Sequence, residues 1–156
     1  QIAKMKEWQI GAIIQPIFLN SDIPMIESRI GQRSKESYLF HTMVEEGIHV
    51  GFSTDAPIEP VSPFKNIWTS ITRKSLKHPE MVAHLPEEGF QLHEAMDAYL
   101  KNNLKYIYQD QMPHDEIEVD MDPYQVSIDQ LKEIKVLKTY INNQCVYAYD
   151  TDKEGE

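Results

Sequence analysis

The position of Asp55 in the sequence would allow its carboxylate several chemical roles. It ends the run GIHVGFSTD, in which residues 49–54 are typical of a buried strand, and Ala56-Pro57 follows at once. Proline cannot continue a ladder and restricts the residue before it, so the strand must stop near Thr54. A carboxylate at the carboxyl end of a strand in an α/β fold can bind a metal, accept a proton or tie up its own turn. The residues alone leave these roles open.

Other reactive groups give weaker signals. The acids between residues 115 and 122 alternate with apolar residues, a pattern typical of the solvated face of a strand rather than of a metal cluster. His41 and His49 have no second ligand at a spacing typical of a metal site. Ser53 and Thr54 have no obvious paired base, which disfavours nucleophilic catalysis. The single Cys145 excludes an internal disulfide and a cysteine-based metal cluster.

Composition restricts the class of protein. The chain has 156 residues, of which 41% are hydrophobic, enough for the core of one domain or of part of a larger one. A net charge of −10 disfavours nucleic acid and anionic membranes as partners. No stretch approaches the roughly 20 apolar residues that a membrane helix needs. No signal peptide is visible, and the start at Gln1 predicts a truncated or processed product. Because the chain has a single cysteine, we expect a cytoplasmic protein.

The order of elements predicts an α/β fold. Two apolar runs, Ala12–Leu19 and His49–Thr54, alternate with helical segments, so we expect them to form parallel strands. Two parallel strands alone are a poor fold, because parallel sheets are normally covered on both faces and have many strands. The sequence therefore indicates the end of a barrel whose earlier strands are missing. The expected helices are the tail of a helix at 1–9, then 34–46, 63–77 and 92–108, with loops at 20–33 and 78–89. The start of the third helix is predicted by Ser62-Pro63 and its packed face by an apolar stripe at Phe64, Ile67, Trp68 and Ile71.

The C-terminal third predicts a smaller, β-rich unit. An alternating strand covers residues 117–121, and Ser127 with Gln130 forms a capping box for a short helix. Strands at 136–141 and 144–149 flank Asn142-Asn143, two residues that tolerate the positive φ of a hairpin turn. The predicted organisation is 1–109 for the βα units, 110–150 for the β-rich unit and 151–156 for a disordered tail.

Several segments together resemble the C-terminal part of metal-dependent amidohydrolases, in the branch of N-substituted formamide deformylase-like enzymes. Each segment is weak, but the set follows the order of that family and covers most of the chain. The segments are GAIIQP from Gly11, GQRSKESY from Gly31, GIHVGFSTDAP from Gly47, PFKNIWTSITR from Pro63, Glu94-Ala95 with Tyr99, and VLKTYINNQCVY from Val136.

The resemblance implies a fold and a site. It places Ala12–Leu19 and His49–Thr54 as strands seven and eight of a (β/α)8 TIM-type barrel, and the terminal hairpin in an accessory β-sandwich. It implies that Asp55 is a metal ligand and the catalytic proton shuttle, because a metal lowers the pKa of its bound water and a nearby carboxylate accepts the proton. Arg33 matches a family position in a loop that could contact a polar substrate.

The rest of the family's ligand set is not in this sequence. Its His-x-His pair, its bridging lysine or carboxylate and its histidines on strands five and six would all precede Gln1. The resemblance implies a divalent metal, zinc, in the intact enzyme. One carboxylate cannot hold catalytic zinc, which normally has about three protein ligands, so we expect none in the isolated fragment.

Two functions of different classes follow. The first is the C-terminal portion of a metal-dependent hydrolase that acts on a non-peptide C–N bond of a small amide or formamide-like molecule. The alternative is a catalytically inactive fragment that serves only as an oligomerising structural module. In both cases we expect a homo-oligomer, because the missing barrel strands would leave unpaired strand edges.

Overall fold

A computed structural model describes residues 1–106 and 114–149 of the chain. The predicted tail at 151–156 and the end of the predicted helix at 92–108 lie outside the described residues. The helices are α1 (Ile2–Glu7), α2 (Leu19–Asp22), α3 (Ile26–Ile30), α4 (Phe40–Glu45), α5 (Pro63–Thr72), α6 (Leu92–Tyr99), α7 (Lys101–Tyr106) and α8 (Ile128–Leu131); the strands are β1 (Ala12–Ile14), β2 (Val50–Phe52), β3 (Glu116–Val119), β4 (Val136–Ile141) and β5 (Gln144–Ala148); 3₁₀ turns cover Pro16–Phe18, Gly31–Glu36 and Pro86–Glu88.

The first sheet consists of β1 and β2, paired in parallel with Ala12 opposite Val50 and Ile14 opposite Phe52. The parallel pairing agrees with the prediction from the sequence. Both strands are shorter than predicted, because Pro16 begins a 3₁₀ turn directly after Gln15 and so ends the ladder of β1. β2 is buried along its whole length.

Helix α5 packs against α6, α8 and the 3₁₀ turn that follows β1, and its apolar residues are part of the core. It begins at Pro63 after Ser62, as predicted, although the Ser62 side chain makes no capping hydrogen bond. It ends at Thr72, earlier than expected, since Arg73 has the left-handed φ of 58°. The core contains residues from the sheet, from α5 and α6, and from the C-terminal third: Ile14, Ile48, Val50, Phe52, Phe64, Ile67, Trp68, Phe90, Ala95, Ala98, Leu131 and Ile134.

The connection from β1 to β2 differs from the prediction. Residues 20–33, expected to be a loop, contain α2 and α3. The helix expected from Ser34 begins only at Phe40, because Gly31–Glu36 form a 3₁₀ turn and Tyr38 takes a left-handed φ of 57°. The hydroxyl of Tyr38 donates a hydrogen bond to Asp22, a contact between distant residues that the local pattern does not predict.

The predicted helix from Leu92 is interrupted at Leu100, which separates α6 from α7. The interruption turns two asparagines of α7 toward β2. Asn102 Nδ2 donates to the carbonyl of Val50 over 2.8 Å, and Asn103 Nδ2 donates to the carbonyl of Phe52 over 2.9 Å. Side-chain amides of α7 therefore cover part of the β2 edge that does not face β1.

The C-terminal sheet has the strand order β3-β4-β5 and is antiparallel. The asparagines of the turn, Asn142 and Asn143, have φ values of 49° and 63°, which confirms the predicted two-residue hairpin. The capping box of Ser127 and Gln130 is also confirmed. The short helix α8 anchors this part of the chain to α5, because Trp68 Nε1 donates to Asp129 over 3.2 Å and Lys132 Nζ lies 4.8 Å from the Trp68 ring.

Candidate functional site

Asp55 follows β2 at the carboxyl end of the parallel sheet. It is exposed, and its backbone has a left-handed φ of 55°. Its carbonyl accepts the amide of Ile58 over 2.9 Å, which closes the turn through the backbone alone. The carboxylate has no hydrogen-bond or ion-pair partner among the described residues. The side chain is therefore not used to hold the turn, and it is open to a ligand.

Asn66 of α5 connects the ends of both parallel strands. It is fully buried, and its Oδ1 accepts the amide of Ile17 over 2.7 Å. Its Nδ2 donates to the carbonyl of Ser53 over 3.0 Å and to the hydroxyl of Tyr99 over 2.5 Å. The side-chain amide of Asn66 thus joins three segments: the chain after β1, the chain after β2 and α6. Its contact after β2 is at Ser53, two residues before Asp55.

One further contact stabilises this end of the sheet, and burial sets the state of Tyr99. Gln15 Nε2 donates to the Ser53 hydroxyl over 3.1 Å, so the residues after β1 and β2 also meet through side chains. Burial raises the pKa of Tyr99 to about 12, against the smaller opposing effect of the bond from Asn66. Tyr99 is therefore a neutral hydrogen-bond acceptor for Asn66 at neutral pH, and not a general base.

The exposed loop after Asp55 has one buried residue, Glu59. Lys77 Nζ lies 2.8 Å from Glu59 Oε1 and 3.3 Å from the hydroxyl of Ser21. Lys77 therefore joins three segments: the one after β1, the one after β2 and the one after α5. The Asp55 loop is fixed at Glu59, while its neighbours Ile58 and Pro60 are exposed.

A second buried polar cluster surrounds Arg73. Its Nε donates to the carbonyl of His84 over 3.1 Å and its Nη2 to the carbonyl of Tyr38 over 2.9 Å, while the buried Nη1 has no partner among the described residues. Burial lowers the pKa of Arg73 to about 10, and the charge of Glu88 opposes this shift. Burial and the charge of Arg73 lower the pKa of His84. The cluster fastens the crossover between β1 and β2.

Arg33 lies in the 3₁₀ turn Gly31–Glu36 and is exposed. It lines a cavity of about 600 Å³ beside α1, together with Glu36 and Tyr38. Two other cavities of about 630 Å³ lie at the amino end of the parallel strands and between α5 and the C-terminal sheet. Asp55 lines none of these three cavities, and it makes no ion pair or hydrogen bond with Arg33. The structure does not join the two predicted site residues in one cavity.

The described residues do not form a complete metal site by themselves. Within residues 1–106 and 114–149, no three His, Cys, Asp or Glu side chains come together in a group that could hold a metal ion. Asp55 offers a single carboxylate, whereas a catalytic zinc normally has about three protein ligands. A metal at Asp55 therefore needs ligands from outside the described residues.

Reasoning from the sequence missed the roles of Asn66 and Lys77, and it gave Tyr99 as part of a family segment without its contact to Asn66. Asn66 lies outside the apolar stripe that predicted α5, and its burial depends on α6 and on the turn after β1. One signal was available, because asparagine is a poor helix former and its presence inside a predicted helix indicates a specific contact.

In the described part of the chain, no helix has both the length and the apolar character needed to cross a membrane.

Comparisons with known proteins identify relatives of the chain. The sequence profile of the amidohydrolase family matches residues 1–147. The amidohydrolase-family protein YtcJ of Bacillus subtilis (strain 168) is 29% identical over 155 residues, which cover 94% of this chain and 29% of YtcJ.

Two solved structures resemble the fold. An uncharacterized metal-dependent hydrolase from Pyrococcus horikoshii OT3 has a TM-score of 0.67 at 23% identity, over 83% of this chain and 28% of that one. Another from Pyrococcus furiosus has a TM-score of 0.60 at 27% identity, over 72% and 22% of the two chains. The chain thus spans less than a third of the length of these relatives.

Proposed function

The chain belongs to the amidohydrolase family, and we propose that it is the C-terminal portion of a metal-dependent amidohydrolase. Its reaction is the hydrolysis of a non-peptide C–N bond in a small amide, within a formamide deformylase-like branch of the family. The resemblance in sequence supports the branch, and the metal-dependent hydrolases of similar fold support the dependence on a divalent metal, for which we propose zinc.

The observation that carries this proposal is the open carboxylate of Asp55. The competing account, a purely local turn residue, expects the side chain to hydrogen-bond its own backbone. Instead, the carbonyl of Asp55 closes the turn with Ile58, and the carboxylate is left without a partner in the described residues. A short acidic side chain held at the end of a buried strand is well placed for chemistry, since its backbone is rigid.

In the proposed reaction Asp55 moves a proton. Its carboxylate accepts a proton from the attacking water and passes it to the departing nitrogen, as a general base and then a general acid. A divalent metal, when bound, supplies the activation of that water, and Asp55 would be one of its ligands. Asp55 is the one metal ligand that we propose among the described residues. We therefore place the other metal ligands in parts of the protein outside residues 1–106 and 114–149. Arg33 is proposed to contact a polar group of the substrate.

The proposed architecture follows from the parallel pair. We propose that β1 and β2 are the last two strands of a (β/α)8 barrel, with Asp55 at the carboxyl end where the active sites of such barrels lie. Two observations support this: β1 and β2 pair in parallel, and Ile13 in the middle of β1 is 48% exposed. On the side of Ile13, β1 therefore lacks the cover that parallel sheets normally have. The sheet of β3, β4 and β5 would belong to the accessory sandwich.

An inactive, oligomerising module is the alternative function. The exposure of Ile13 favours it as well, since a second copy of the chain could provide the missing cover. The two functions differ in their dependence on Asp55, because assembly through β1 does not involve a carboxylate at the end of β2.

The test is made on the complete gene product. We expect purified protein to contain a divalent metal and to hydrolyse N-formyl compounds or other small amides. Asp55→Asn changes little volume but removes the charge and the proton acceptor, so turnover should fall by at least about a hundredfold, within the range of general acid–base catalysis, while the circular dichroism spectrum stays the same. Full activity in this variant would remove Asp55 from the reaction.

The matched control is Asp22→Asn. Asp22 is an acid on the connection between β1 and β2; it accepts a hydrogen bond from Tyr38 and has no part in the proposed chemistry. It should lower stability and leave turnover per folded molecule and metal content unchanged. Equal losses of turnover in both variants would show that removal of either acidic side chain lowers activity. That result would count against the proposed role of Asp55.

A further inference from the structure

We propose that Asn66 is the positioning residue that sets the backbone of Ser53–Asp55, and through it the direction of the Asp55 carboxylate. Asn66 does not touch the candidate site itself. The proposal rests on the proposed function, because the direction of the Asp55 side chain matters to chemistry only if Asp55 takes part in it.

The hydrogen bonds of Asn66 account for its complete burial. A side-chain amide has two donor hydrogens and one carbonyl oxygen. Both hydrogens are used, one by the carbonyl of Ser53 and one by the hydroxyl of Tyr99, and the oxygen accepts the amide of Ile17. The residue is 0% exposed, and its bond to the amide of Ile17 is buried, whereas Ser53 and Tyr99 are partly buried. Loss of the side chain would leave a buried donor and a partly buried acceptor unpaired in two different segments.

These bonds are located where the parallel ladder ends. The last backbone bond of the sheet runs from the amide of Ser53 to the carbonyl of Ile14, over 3.0 Å. Beyond it the two chains separate, β1 into its 3₁₀ turn and β2 into the turn at Asp55. Asn66 provides the next link between them, since it bonds Ile17 on one side and Ser53 on the other. It thus continues the sheet by one step through a side chain.

The position of Asp55 depends on this link. Its φ of 55° is in the left-handed region, which costs a residue with a side chain about 1 kcal/mol or more. The structure around it must hold this conformation, and Ser53, two residues earlier, is fixed by its amide to Ile14, by its carbonyl to Asn66 and by its hydroxyl to Gln15. Thr54 between them is buried. The backbone before Asp55 therefore has a fixed orientation, which sets the direction of the Asp55 side chain.

Asn20 offers a matched control. It is also a buried asparagine, and its Oδ1 accepts one backbone amide, that of Leu76, over 2.6 Å. It makes no bond to Ser53, Thr54 or Asp55. Replacement of either asparagine by leucine keeps a similar volume and removes the hydrogen bonds, so both variants should lose global stability. Only the Asn66 variant should change the end of β2.

The experiment uses the full 156-residue chain, labelled for nuclear magnetic resonance. In Asn66→Leu we expect the amide of Ile17 to exchange about tenfold faster than in the wild type, after correction for the slowest core amides, as the loss of one buried hydrogen bond implies. The backbone shifts of Ser53, Thr54 and Asp55 should move. In Asn20→Leu the amide of Leu76 should exchange faster, and those three shifts should stay.

A conservative variant separates the two halves of the link. Asn66→Asp keeps an oxygen for the amide of Ile17 and loses the donor to the carbonyl of Ser53. We expect protection of Ile17 to be largely restored and the carbonyl shift of Ser53 to remain displaced. A residue that only filled space would not produce this split. If Asn20→Leu moved the shifts of Ser53–Asp55 as far as Asn66→Leu does, or if Asn66→Leu left them unchanged, the proposal would be overturned.

A measurement on the wild type covers the case in which neither Asn66 variant folds. The two side-chain amide protons of Asn66 should exchange slowly and show nuclear Overhauser contacts to Ser53 and Tyr99. Rapid exchange without these contacts overturns the proposal. None of these readouts depends on activity. A positive result together with a fully active Asp55→Asn protein would therefore refute the proposed function and leave the positioning intact.

Discussion

Strand β2 is buried at every residue, whereas β5 is exposed at every residue. The difference extends to how the two sheets satisfy their backbone groups. β5 relies on a hairpin ladder with its chain neighbour β4. By contrast, β2 bonds to β1 and to side chains of α7, and Ser53 directly after β2 bonds to Asn66 of α5. The buried sheet is therefore held by tertiary contacts and the exposed sheet by local pairing. Changes in the two sheets should have very different effects.

The largest difference should come from aromatic truncation. Phe52 is 1% exposed and its ring packs against those of Phe90 and Tyr99. Phe52→Ala should reduce the free energy of unfolding by about 3–5 kcal/mol, as expected for a large cavity. Tyr147 in β5 is half-exposed, so Tyr147→Ala should cost about 1 kcal/mol or less. Urea denaturation of both variants measures this, and equal costs would contradict the comparison.

Alkaline pH should weaken the buried sheet through Tyr99. Its pKa is raised to about 12 in the folded protein, so an unfolded chain ionises Tyr99 first. Its contribution is therefore complete below pH 10 and is lost as the pH rises toward about 12, on the order of 2 kcal/mol in total. The difference in unfolding free energy between wild type and Tyr99→Phe isolates this effect, because Arg73 and Tyr38 titrate in both. A pH-independent difference would show that Tyr99 contributes only by packing.

Exposure of the β2 edge should cost less stability and promote association. The double variant Asn102→Ala, Asn103→Ala removes two bonds to carbonyls of β2, and we expect a loss of about 1–2 kcal/mol. Uncovered edges pair with other chains. We therefore propose that the wild type is a homo-oligomer and that this variant self-associates more strongly.

Sedimentation over a range of concentrations in physiological salt gives the measurement. Lys101→Ala serves as the control, since Lys101 lies on the same helix and pairs with Asp97 rather than with β2. A wild type and a double variant that both remain monomeric at every concentration would refute the proposed oligomer, and with it the view that the sheet lacks its neighbours.

The smallest effect should be at the β4–β5 turn. Both turn residues have positive φ, which glycine adopts without strain. Asn143→Gly should therefore leave stability unchanged or raise it by about 0.5 kcal/mol, while Asn143→Ala should lower it by about 1–2 kcal/mol. Thermal unfolding of the two variants measures the difference. If alanine were as good as glycine, the turn would not determine the register of this hairpin.

The same contrast explains which features the sequence could predict. The hairpin at Asn142 and the capping box at Ser127 depend on residues within a few positions of one another, and the structure confirms both. The parallel order of β1 and β2 followed from the alternation of elements. The strand ends, α2, α3 and the break at Leu100 did not, because contacts such as Tyr38 with Asp22 and Asn102 with β2 join residues far apart in the chain.

The same distinction between local patterns and distant contacts applies to the residues of the candidate site. Asp55 was found because a strand pattern followed by Asp-Ala-Pro places it at a strand end. Asn66 was not found, because its role depends on the three segments that its side chain joins. Arg33 was proposed from resemblance, and its place beside α1 is a property of the crossover that no local pattern contains. Its role and that of Asp55 remain predictions to be tested by substitution.

The single anchor of the Asp55 loop makes that loop a natural point for redesign. Glu59 is fixed by Lys77, while Ile58, Pro60 and Val61 are exposed. Residues at these three positions can therefore be exchanged at little cost in stability, as surface positions usually can, provided that Glu59 and Lys77 are retained. The loop behaves as an interchangeable module with one fixed attachment. Diversification beside Asp55 could then alter which small molecules reach it without disturbing the strands that hold it.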